Sequence, residues 1–201
     1  AYAYLQLIDM YANVPLVTQL TSELPEQSNR QEIFSFIETE LNELSSLLAD
    51  SRSNEYGRVD KVAAWALLSR LYLNAPVYIG SDMSSQVIAN AEKVISSSYS
   101  LNTSDGNGNG SAYDELFLAD NNTNGAQNEF IFVVQFDGLN SQTWGGGTFM
   151  VHAPIGGSMD PSIFGVNGGW GGLRTTKALV DKFEYSITAS NGDGHPIAWS
   201  D

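Results

Sequence analysis

The chain has 201 residues, with 9 Lys and Arg against 23 Asp and Glu, a net charge of −14, no cysteine and two histidines. That field repels polyanions, which argues against nucleic acid as a partner and against a polybasic dock on anionic lipid. Without thiols there is no disulfide framework, thiolate metal site or cysteine nucleophile, and no run of about 18 apolar residues is present to cross a bilayer as a helix.

The pattern is helical from the first residues. Tyr4, Leu7, Ile8 and Tyr11 recur at helical spacing. Asn13, which tolerates the left-handed conformation, and Pro15 are expected to end that helix. Ile33, Phe34, Ile37, Leu41, Leu44, Leu47 and Leu48 form the stripe of a second helix, capped by Ser28 with Gln31 or by Asn29 with Glu32. A third helix, over 58–78, has Asp60 as N-cap and Pro76 as terminator. Its run Val62–Leu68 is apolar around most of the circumference, which predicts a central helix with Trp65 buried. A fourth helix begins near Asp82 or Ser84 and carries Val87, Ile88, Ala91, Val94 and Ile95. Small alanines at helix contacts, followed by a short partner, look like tetratricopeptide pairs, although no strict 34-residue repeat is present.

Of the 19 glycines, 17 lie after residue 100, so loops and short strands are expected there. The stretch LNTSDGNGNGS at 101–111 has the composition of a flexible loop. Tyr113–Phe117 reads as one helical turn. FIFVVQF at 130–136 is the best strand pattern, and Thr148–His152 reads as a second. A short helix after Thr176 is expected to bury Leu179, Val180 and Phe183. The expected organisation is mainly α: a helical scaffold over 1–100 and a loop-rich part of the same domain over 101–201, with a few short strands. The first and last residues lie inside helix and turn patterns, which predicts an interior piece of a longer protein, with any targeting segment upstream.

No catalytic constellation stands out. Asp137, Asp160, Asp181 and Glu184 could pair for glycoside hydrolysis, but no spacing fixes a pair. His152 and His195 lie near no nucleophile turn. Asp105-Gly106-Asn107-Gly108-Asn109-Gly110 opens like a calcium loop, yet its twelfth position is Leu116 and Glu115 comes one residue early, so a solvated linker is the better reading. No metal, cofactor or catalytic residue is assigned. Trp144 in QTWGGG and Trp170 in NGGWGGLR carry more information. Each lies in a glycine-rich loop with little local bulk to cover it. An exposed indole can lie flat on the apolar face of a sugar ring; alternatively, each folds back to plug a gap under its loop.

The order of segments resembles the SusD/RagB family of nutrient-uptake outer-membrane lipoproteins from Bacteroidetes-type bacteria. The resemblance rests on LQLIDMYANVPLVT at 5–18, with Ala12-Asn13 where the family usually has glycine and aspartate, on EIFSFIETELNEL at 32–44, and on YGRVDKVAAWALLSRLYLNAPVYIG at 56–80. YDELF at 113–117, NEFIFVVQF at 128–136 and GGWGGLRTTKALVDKFE at 168–184 follow in the family's order. It implies a tetratricopeptide-like scaffold, an anchor through a lipidated cysteine upstream, and non-catalytic capture of oligosaccharide or polysaccharide by a lid on a SusC-like TonB-dependent transporter, on the outer face of the outer membrane. Ligand residues vary across the family, so none is carried onto a position here. Two other functions stay open on the residues alone: a tetratricopeptide-type adaptor for protein or peptide, and a secreted glycan hydrolase.

Overall fold

A computed structural model describes residues 1–20, 22–136, 140, 144–180 and 182. The chain divides into two compact units, Ala1–Val134 and Gln135–Asp201.

The first unit is a layered set of helices: α1 (Tyr2–Tyr11), α2 (Arg30–Leu47), α3 (Lys61–Leu73), α4 (Ala75–Tyr78) and α5 (Ser84–Ile95). Between α1 and α2 runs a two-stranded antiparallel ribbon, β1 (Val14–Pro15) and β2 (Gln27–Ser28), with Val14 opposite Ser28 and Pro15 opposite Gln27. The central helix is α3, packed against both α2 and α5, while α1 lies on α2. Leu5 and Ile8 of α1, Ile33, Phe34, Ile37 and Leu41 of α2, and Leu68, Leu71 and Tyr72 of α3 form one buried cluster. The expected mainly helical fold is present, with consecutive helices packed as pairs.

The helix signals resolve in detail. The α2 capping box is Asn29 with Glu32: the Asn29 side chain accepts from the Glu32 N–H at 3.0 Å, and the Glu32 carboxylate accepts from the Asn29 N–H at 2.9 Å. Ser28 is instead committed to β2. Asp60 caps α3 through the Val62 N–H at 2.9 Å. The expected single helix over 58–78 is broken at Asn74, and Pro76 sits in the first turn of α4, where its missing N–H is harmless.

Four expectations fail for identifiable reasons. The backbone that ends α1 with positive φ is Ala12, not Asn13: φ is 63° and ψ −67°, and the Asn13 N–H donates to the Tyr11 carbonyl at 2.7 Å. Trp65 is half-buried rather than buried, because Val62, Ala63, Ala64, Leu68 and Leu71 take the inward positions and the indole is left beneath Lys93, whose Nζ is 5.8 Å from the ring centroid. Residues 130–136 form no strand. Their β-propensity meets no partner ladder, and Phe132 packs edge-on against Tyr2 at 5.0 Å instead. Residues 148–152 are helical, within α6 (Gly146–His152).

The second unit contains α6, a 3-10 turn at Pro161–Phe164, and α7 (Lys177–Val180). Leu179 of α7 is exposed rather than buried, and Phe183 lies outside the described residues. No helix among the described residues is long and apolar enough to cross a membrane.

Candidate functional site: an aromatic cluster in the second unit

Trp144 and Trp170 come from different glycine-rich segments, and the fold brings their rings to 6.0 Å, tilted by 46°. Two further rings join them. His152 stacks on Trp170 at 5.1 Å with an interplanar angle of 18°, and Phe149 lies 6.3 Å from it. Both come from α6, one turn apart, so a single short helix supplies the underside of the cluster. Trp144 is 81% exposed and Trp170 41%. Trp170 is therefore half-packed, with one neighbour stacked on it, while Trp144 has most of its surface in water.

Backbone hydrogen bonds fix the Trp170 segment. The N–H groups of Trp170 and Gly171 donate to the His152 and Ile155 carbonyls at 3.0 and 2.8 Å, and those of Gly172 and Leu173 both donate to the Ala153 carbonyl, at 3.0 and 2.9 Å. Ala153 and Ile155 are buried beneath. The His152 Nδ1 lies 2.7 Å from the Gly168 carbonyl, which orients the imidazole under the indole. Glycine is needed for this approach. A Cβ at Gly169 would stand 2.3 Å from the Ile155 carbonyl oxygen, and one at Gly156 would stand 2.7 Å from the Gly171 Cα. The glycine-rich composition thus serves close backbone docking that holds an indole outward.

The other candidates are not drawn together. Asp160 caps the 3-10 turn, accepting from the Ser162 N–H at 2.9 Å and hydroxyl at 2.8 Å; the backbone donor first, then the hydroxyl, holds its carboxyl below the usual range. Asp137, Asp181, Glu184 and His195 lie outside the described residues. The 105–115 segment is a solvent-exposed loop over 105–110 that is closed by its own hydrogen bonds. Asp105 accepts from the N–H groups of Gly108, Asn109 and Gly110, and Glu115, only 2% exposed, accepts from the Asn107 N–H at 2.8 Å and the Asn124 amide at 3.0 Å. Its oxygens are thus engaged by the loop's own donors. Among the described residues no group of three His, Asp or Glu side chains is arranged to hold a metal ion.

The first unit is a scaffold of consecutively paired helices, and the second carries an exposed aromatic cluster. Residues 1–73 match the SusD-like family model described as starch-binding and associating with the outer membrane. The chain is also similar to the starch-binding protein SusD of Bacteroides thetaiotaomicron, 34% identical over 184 residues, which is 91% of this chain and 32% of that protein. The chain belongs to the SusD/RagB family, and it spans about a third of the length of the curated relative it matches.

Proposed function

We propose that this chain is the scaffold and part of the ligand surface of a non-catalytic glycan-binding protein on the outer face of the outer membrane. It captures oligosaccharide or polysaccharide and passes it to a SusC-like TonB-dependent transporter, and a lipidated cysteine upstream anchors it. Residues 1–100 are the tetratricopeptide-like scaffold, and 101–201 are the loop-rich part of the same domain. The observation that carries this reading is the pairing of Trp144 with Trp170 at 6.0 Å, with Trp144 81% exposed. A sugar ring laid on these indoles removes apolar area from water on both surfaces, worth about 25 cal/mol per Å². The family description and the relative's name make α-glucan the first ligand to try.

The test is a screen of the protein against neutral polysaccharides and their oligosaccharides, starting with maltoheptaose, with reducing ends measured in parallel. Saturable binding without release of new reducing ends supports the reading. Sustained release would make the protein a hydrolase, and binding of peptides with no glycan bound would make it an adaptor.

A further inference from the structure

The first unit holds a cleft that the glycan reading does not use. It opens between the turn at 52–60 and the segment at 127–133. Beneath it lies Asp60, 1% exposed, whose carboxylate accepts from the Arg52 N–H at 2.7 Å, the Val62 N–H at 2.9 Å and the Tyr99 hydroxyl at 2.9 Å. Asp60 is thus engaged by three donors and organises the cleft rather than facing a ligand. Phe130 and Val133 contribute an apolar wall.

Two of the chain's nine Lys and Arg residues, Arg52 and Arg58, line this one cleft. Arg58 donates to Glu55 at 3.1 Å, a pair exposed on both sides and therefore weak. Arg52 differs. Its guanidinium lies 5.7 Å from the centroid of the Tyr99 ring, and among the described residues it pairs with no carboxylate. Its backbone has φ 55°, a region that favours glycine, and the bond from its N–H to Asp60 holds it there. Glycine would take that conformation without strain, yet the chain carries a guanidinium in it. Strain of this kind, over-determined by its surroundings, gathers at functional sites.

The geometry points to a second binding site, for a small, singly charged carboxylate with a ring body. The carboxylate would take the planar fork of Arg52, and the ring would lie along Phe130 and Val133. A guanidinium matches a carboxylate in two parallel hydrogen bonds. Glu55 at the cleft and the net charge of −14 oppose a multiply charged anion such as phosphate. This inference does not rest on the glycan reading, because none of its residues belongs to the aromatic cluster.

The test uses calorimetric titration of the protein with galacturonate, with galactose as the neutral control and inorganic phosphate as the anionic one. Galacturonate should bind saturably, at least about tenfold tighter than either control, and weaken several-fold between about 0.05 and 0.5 M salt. Arg52→Gln should weaken it about tenfold or more. Should Arg52→Gln melt early, Arg52→Lys keeps the charge and removes the fork, and a several-fold loss is expected there too. Galacturonate bound no better than galactose, phosphate bound equally well, or wild-type affinity in a folded Arg52 variant would each overturn the proposal.

Discussion

Replacing Ala12 by glycine should stabilise the protein, against the usual direction of such a change. Ala12 has φ 63° and ψ −67°, and the Asn13 N–H reaches back to the Tyr11 carbonyl at 2.7 Å. This is a γ-turn of the strained hand, rare for residues with a Cβ. Holding an L residue there costs about 1–3 kcal/mol. Glycine escapes that strain and gives back about 0.5–1 kcal/mol in unfolded-chain entropy. The half-buried methyl that is lost adds less than about 0.5 kcal/mol. The net is a gain of about 1 kcal/mol. Urea unfolding should show a higher midpoint at unchanged slope, and the melting temperature should rise by about 2–4 °C. Ala12→Val should move both the other way, because a β-branched side chain tolerates this backbone least. If Ala12→Gly lowers the midpoint, the chain does not leave α1 through this turn.

Asp60→Ala removes an N-cap worth about 1 kcal/mol and strands two further half-buried donors, the Arg52 N–H and the Tyr99 hydroxyl, at about 1–2 kcal/mol each. A total loss of about 3–5 kcal/mol is expected by denaturant titration, and a loss under about 1 kcal/mol would mean Asp60 is not a hub. Gly169→Ala would force a Cβ to within 2.3 Å of the Ile155 carbonyl oxygen, so the 168–173 segment must shift. A cost of about 1–3 kcal/mol and a changed near-ultraviolet tryptophan dichroism are expected, and a wild-type melt and spectrum would contradict the docking. Burial first, and then its hydrogen bond to Asp60, pushes the Tyr99 hydroxyl up from 10.0 to about 12. The folded state therefore favours the neutral phenol. That contribution is complete below pH 10 and is lost as pH rises through about 12, so stability should fall over this window, and less so in Tyr99→Phe. Equal alkaline losses in the two proteins would remove Tyr99 as a cause.

The helical scaffold was readable because its signals are local. The stripe of α2, its capping box and the Asp60 cap of α3 each lie within a few residues of one another. The 130–136 segment misled for the opposite reason: its β-branched and aromatic residues describe a preference, and a strand also needs a neighbour, which this segment does not have among the described residues. The β1–β2 ribbon escaped notice because two residues per strand leave no alternation to detect. Composition singled out Trp144 and Trp170 separately. Their meeting was hidden, since it depends on Gly169 and Gly156 allowing backbone contact between segments that share no local pattern. Thr148–His152 has a strand pattern in sequence; the place of His152 under Trp170 follows from α6 being a helix, which sets Phe149 and His152 on one side. The cleft at Arg52 had no sequence signal except an arginine where the turn favours glycine, and φ cannot be seen in a sequence.

The central claim is that Trp144 and Trp170 form the surface that meets a glycan. Its most direct test is calorimetric titration of Trp144→Ala and Trp170→Ala with the oligosaccharide found in the screen, each paired with a thermal melt. Each truncation should cost about 1–3 kcal/mol of binding, roughly 5- to 150-fold in affinity. Salt should have little effect, because a neutral sugar breaks no ion pair, and Trp144→Ala should melt like the wild type because that indole is 81% exposed. Wild-type affinity in both variants would contradict the account, as would a loss of binding by Trp144→Ala that comes with a melting temperature lowered by several degrees.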